Sequence, residues 1–192
     1  MKLLTIALLA QVITFVSCAQ DKFATDTVKN DILFMREEEK LARDVYDSMY
    51  QQWGLMPFGN IRYSEQMHMD RMKTLVDRYG LADPVAQTGD KPGVFMNATL
   101  AALYNELITA ATTSSLEALR AGAKIEEVDI LDLVNRSKNT SDAAILTIYE
   151  NLRLASEQHL RAFVRNINAS GVTYVPVVLS PEQYNAIINS SR

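Results

Sequence analysis

The stretch "YSEQMHMD", residues 63–70, holds one of the chain's two histidines three residues after a glutamate. On a helix this spacing sets Glu65 and His68 one turn apart on the same face, which suits either a shared metal ion or a histidine paired with a carboxylate. Ionisable residues recur at three further places inside apolar patterns. Glu38 stands among Phe34, Leu41, Ala42 and Val45; Glu126 stands among Leu119, Ile130 and Leu133, with Asp129 three residues on. His159, the second histidine, stands among Leu152, Ala155 and Phe163. At about 100° per residue, each falls on the face that its helix would bury.

Each feature also has an ordinary reading. A single histidine on an apolar face is more often a hydrogen-bonded core residue than a ligand. The run "REEEK", residues 36–40, reads as a solvated helix face, with Glu39 paired to Arg43 one turn on. Against this stands a cost. Burying a carboxylate is unfavourable by several kcal/mol unless a charge compensates it, and here three glutamates would meet in one core. No Lys or Arg lies on the same stripes to neutralise them. A divalent metal would.

Four long amphipathic segments must position these residues. Hydrophobic periodicity predicts helices over 28–52, 61–80, 114–136 and 141–167. Between the second and third lies a long connection, "ADPVAQTGDKPGVFMNAT", followed by a shorter helix near 99–111. The tail "GVTYVPVVLSPEQYNAII" reads as an extended strap and a final helical turn. The expected fold is all-α: an antiparallel four-helix bundle over 28–170 with a long crossover, and a C-terminal strap over 171–192.

Length and composition are consistent with this. A chain of 192 residues that is 48% hydrophobic suffices for one well-cored domain. Its formal charge of −4 and the lack of a basic patch argue against a nucleic-acid partner. The start, "MKLLTIALLAQVITFVSC", has one Lys followed by an apolar run too short to span a bilayer, the layout of a secretory leader over residues 1–19. Cys18 is the only cysteine, so no disulfide supports the exported domain. Two readings of Cys18 stand open. "FVSC" fits a bacterial lipoprotein box, where a lipid on Cys18 would be the sole membrane attachment, whereas "SCA" fits ordinary cleavage and free secretion. Five glycosylation sequons, at Asn97, Asn135, Asn139, Asn168 and Asn189, favour a secreted glycoprotein, with Asn97 and Asn139 in expected loops.

Taken together, "FMREEEKLARDVY", "SEQMHMD", "IEEVDILDL", "HLRAFVRNI" and the late "YVP" resemble the ferritin-like family of domain of unknown function 2202, over about residues 30–188. Related ferritin-like bundles hold two metals with one Glu from each of two helices and Glu-x-x-His from each of the other two. The resemblance implies Glu38 from the first helix, Glu65 and His68 from the second, Glu126 from the third and His159 from the fourth. It breaks at Ser156, where a glutamate is expected. Glu157 points about 160° from His159, towards solvent. Asp129 would then bring the fourth negative charge that two divalent metals require, either as a ligand or as an acceptor for a ligand histidine's N–H. Mixed carboxylate and imidazole ligation suits iron first, with manganese or zinc as alternatives. The implied function is an exported metal-binding protein that oxidises Fe(II) or reduces peroxide, with O2 or peroxide as its small-molecule partner. The alternative is a secreted acidic matrix or mineral-associated protein that keeps the fold without turnover. Its state of oligomerisation stays open.

The leader yields a test. If Cys18 is lipidated, the full-length chain partitions into detergent and Cys18→Ser abolishes this; if the chain is a secreted glycoprotein, glycosidase lowers its mass.

Overall fold

The computed structural model describes residues 24–190, so the leader and Cys18 lie outside it. Seven helices are present among the described residues: α1 (Asp26–Trp53), α2 (Met56–Arg78), α3 (Pro84–Gln87), α4 (Ala98–Ala111), α5 (Ser115–Ser137), α6 (Ala143–Ala169) and α7 (Pro181–Ile188). Four of them form the expected all-α bundle. None of the described helices is long and apolar enough to cross a membrane.

Helix ends follow local chemistry. Gly54 closes α1 in the left-handed region, at φ 64°, and its N–H donates to the Tyr50 carbonyl. α2 opens two residues later at Met56, with Pro57 in its first turn, which puts its start ahead of the predicted residue 61. Ser114 and Asp142 cap α5 and α6 by accepting from the amides of Glu117 and Ala144.

Short links make α1 with α2, and α5 with α6, antiparallel hairpins, and the crossover carries the chain from α2 to α5. Two apolar clusters report the register. One joins Val28, Ile32 and Met35 of α1 to Met72 and Val76 of α2, Leu133 of α5, and Ile145 and Leu152 of α6. The other joins Val45 and Met49 to Phe58, Leu119 and Ile130, and Phe163. The start of α1 therefore packs beside the end of α2, the end of α5 and the start of α6. Between the clusters, at mid-length of all four helices, lies a polar layer.

The outer face of α1 corrects one expectation. Arg36, Glu37, Glu38, Glu39 and Lys40 are all buried rather than solvated. The crossover wraps over this side, and its polar backbone supplies partners. Glu37 accepts from the Met96 and Asn97 amides, at 2.5 and 3.0 Å. Lys40 pairs with Asp44, donates to the Lys91 carbonyl and lies 4.5 Å from the centre of the Phe95 ring. Arg36 pairs with Asp83 and donates to the Met69 carbonyl. Arg43 binds Asp44, Asp90 and Gln66, not Glu39.

The strap docks through a residue that the sequence reading passed over. Glu127, fully buried on α5, accepts from the Val177, Val178 and Leu179 amides at 3.0, 2.7 and 2.8 Å and from the Tyr174 hydroxyl at 2.6 Å. Of the sequons, Asn135 and Asn168 lie on helices, Asn97 caps α4, Asn139 donates to Asp31, and Asn189 ends α7.

Close helix approach depends on Gly122, where a Cβ would lie 2.5 Å from the Phe163 ring. Phe163 in turn packs with Tyr46 and Phe58 at ring separations of 5.3 and 5.4 Å. Gly122→Ala should therefore destabilise the protein by roughly 1–3 kcal/mol through overpacking, read from urea unfolding midpoints.

Candidate metal centre

The polar layer is built around Glu65. Its Oε2 lies 2.8 Å from His68 Nδ1 and its Oε1 lies 2.9 Å from His159 Nδ1, so one carboxylate faces both histidines. Glu39 Oε2 approaches His68 Nδ1 at 3.2 Å, and Glu126 Oε2 approaches His159 Nδ1 at 3.4 Å. The imidazoles stack at 5.6 Å. Two groups result, Glu39 with Glu65 and His68, and Glu65 with Glu126 and His159; within each, the potential ligand atoms lie within 4.8 Å of one another. Acidic and histidine side chains of this chain thus form clusters that could hold a divalent metal.

Hydrogen bonding leaves part of the layer unsatisfied. His159 Nδ1 and Glu65 Oε1 are close, yet neither has a properly directed hydrogen bond. Atoms that converge on a common point, rather than aim at each other, give this pattern. Glu39 Oε1 and Asp129 Oδ1 are also buried without donors. Orphaned buried acceptors are rare in folded proteins and call for a ligand, a proton or a bound ion.

Two neighbours orient the layer. The Tyr46 hydroxyl donates to Glu126 Oε1 at 2.5 Å, which leaves Oε2 towards His159. The Ser156 hydroxyl donates to Asp129 Oδ2, also at 2.5 Å. Asp129 and Ser156, one the surplus carboxylate and the other the missing one, therefore touch across α5 and α6.

Glu65, His68, Glu126 and His159 come together as expected on their stripes, and Asp129 lies beside Ser156. Glu38 does not join the histidines; Glu39 does. The two side chains point about 100° apart around α1, and because α1 is enclosed on several sides, Glu39 is buried against α2 while Glu38 is buried in the seam with α5. Glu157 is covered rather than solvated, held by Arg153 and Arg161. Arg136 acts on Glu38 electrostatically, so the stripes are not wholly without cations. Glu39 and Tyr46 were missed, although their spacing of seven residues places them on one helical face.

Protonation follows from crowding. Burial opposes charge on His68, but Glu65 and Glu39 outweigh it and push its pKa up to about 12. Burial likewise opposes charge on His159, and Glu126 with Glu65 raises it to about 10. Burial lifts Glu39 to about 7 despite the opposing pull of His68. For Glu65 the histidines overcome burial and hold the carboxyl well below its usual range. Asp129 is raised by burial and then by Glu39 and Glu38.

Fold and site together define an all-α bundle with a buried carboxylate–histidine centre. The chain belongs to the family described as "Uncharacterized protein domain (DUF2202)", which matches residues 28–191. It is 42% identical over 177 residues to the uncharacterized protein MJ0754 of Methanocaldococcus jannaschii, covering 92% of this chain and 95% of that one. A crystal structure of the hypothetical protein MJ0754 matches with a TM-score of 0.85 and 44% identity, over 88% of this chain and 95% of that one.

A pH dependence follows for metal-free protein. Raised pKa values at Glu39, His159 and His68 contribute stability that is fully present below their unfolded values, 4.5 and 6.5, and is lost as pH rises through about 7, 10 and 12. The depressed Glu65 acts the other way, losing its contribution as pH falls below 4.5. In chelator, the urea midpoint should peak in mildly acidic solution and decline steadily to alkaline pH. A flat or rising alkaline limb would contradict the protonation states assigned here.

Proposed function

We propose that this protein binds two divalent metal ions at the centre of its bundle and uses them to oxidise Fe(II) or reduce peroxide. Glu39 and His68 would hold one ion, Glu126 and His159 the other, and Glu65 would be shared between them. The observation that carries this reading is Glu65, which gives one oxygen to each histidine while the surrounding acceptors lack donors. Ferritin-like resemblance and the mixed carboxylate and imidazole donors support iron, with manganese or zinc as the other metals of suitable ligand preference.

Two iron ions would supply the paired electrons that O2 or peroxide accepts. The chain's own residues set the conditions. Glu39, Glu65, Glu126 and Asp129 bring four negative charges, matching two divalent cations once both histidines are neutral. The protons on His68 and His159 must therefore leave on binding, so affinity rises with pH. Tyr46 fixes one oxygen of Glu126, and Ser156, which stands where ferritin-like bundles in general carry a glutamate, donates to Asp129. Apolar clusters above and below the layer exclude water. The leader extends the proposal to an exported protein.

Elemental analysis after growth with iron, manganese and zinc should find two metals per chain. Glu65→Gln should bind none, Asp129→Asn should fall towards one, and adding Ser156→Glu to Asp129→Asn should restore two. At metal concentrations of 100 times Kd, binding should stabilise the wild type by about 2.7 kcal/mol for each ion bound, and chelator should reverse this. Oxygen consumption with Fe(II) reads turnover. A metal-free wild type whose melting ignores chelator would overturn the proposal.

A further inference from the structure

Glu38 is buried, yet no N–H or O–H donor reaches its carboxylate oxygens, and the polar group within hydrogen-bonding reach is another carboxyl, that of Asp132. Every other member of "REEEK" is either satisfied by the crossover or belongs to the central layer, so Glu38 is the one left unexplained. It lies in the seam between α1 and α5 beneath α4, where it lines a small crevice with Leu41, Leu103, Leu107, Ile125, Val128 and the stem of Lys124, whose ammonium pairs with Glu106.

Across the seam, α5 lays out Glu126, Asp129 and Asp132 at intervals of three residues, which is about 4.5 Å of rise per step. Burial is graded along them. Glu126 and Asp129 are buried, whereas the Asp132 side chain keeps 29% of its exposure and reaches solvent. Asp132 exerts the strongest charge effect on Glu38, followed by Glu39, and Glu38 in turn acts on Asp129. Arg136 sits at the outer end, pairing with Asp31 and, at 3.5 Å, with Asp132, while its guanidinium lies 3.9 Å from the Phe34 ring centre. Its Nε has no acceptor, so it neutralises the mouth without closing a complete hydrogen-bond set.

We propose that Asp132 and Glu38 form the access path by which a divalent cation passes from the α1–α5 seam to Asp129 and the central carboxylate–histidine layer, with Glu38 as a transit site rather than a permanent ligand. The inference rests on the metal-binding reading. Asp132, paired only at 3.5 Å with Arg136, then the donor-free oxygens of Glu38 and Asp129 give a dehydrating cation successive hard oxygen partners, so that it never crosses an apolar stretch alone. Arg136 holds the outer carboxylates between arrivals and is displaced electrostatically by the stronger charge of a divalent ion.

Uptake kinetics test this apart from capacity. Metal-free wild type, Glu38→Gln and Asp132→Asn are each mixed rapidly with Mn(II), the disappearance of the free-ion EPR signal is followed, and metal per chain is counted after equilibration. Both variants should take up Mn(II) roughly tenfold more slowly, as expected when a steering charge is removed, and should reach the wild-type count. Added salt should shrink the difference for Asp132→Asn, which lies at the solvent end. Unchanged rates in both variants would overturn the path, and a lowered final count in Glu38→Gln would make Glu38 a ligand instead. Asp132→Asn, partly exposed, keeps the test valid if Glu38→Gln misfolds. A wild type that takes up no metal would instead remove the metal-binding reading itself, and the path with it.

Discussion

Burying carboxylates in the middle of a helical bundle is the constraint on which the rest of this structure depends. Glu39, Glu65, Glu126 and Asp129 lie within one layer, together with two histidines, and Glu38 is buried beside it in the seam with α5. Without metal, the layer persists only by proton uptake: the histidines hold protons far into the alkaline range, and burial raises Glu39 and Asp129. That arrangement still leaves several oxygens without donors. The bundle must be stable enough elsewhere to carry this cost, and the two apolar clusters that enclose the layer provide that stability.

A second set of buried charges shows how the same chain treats groups that need no ligand. Glu37, Lys40, Arg36 and Glu127 are as buried as the central residues, yet each meets backbone or side-chain partners. The crossover satisfies the first three and the strap satisfies Glu127. These segments therefore do more than connect helices, since they fix the rotation of α1 and α5 and so set which side chains enter the central layer. Glu127 follows Glu126 directly, so the strap anchors the turn of helix that presents Glu126 to His159. The contrast between satisfied outer charges and unsatisfied inner ones marks the centre as the part of the bundle whose carboxylates and histidines could hold a metal ion.

The sequence by itself determined the four long helices and most of the layer. Periodic apolar stripes predict helix positions to within a few residues, because burial of one face is a local pattern that any packing partner must respect. Glu65, His68, Glu126 and His159 interrupt those stripes at mid-helix, and this made them legible without coordinates. Tertiary structure alone decided the rest. Around α1, the stripe rule selects Glu38 because it is centred among apolar residues, but the rule assumes one buried face, and α1 is covered on nearly every side by α2, α4, α5 and the crossover. Which of three consecutive glutamates meets His68 is then set by how the crossover holds α1 in rotation, and Glu39 is the one that does. Likewise the contact of Asp129 with Ser156 joins residues 27 positions apart, and no periodicity within either helix encodes the distance between them.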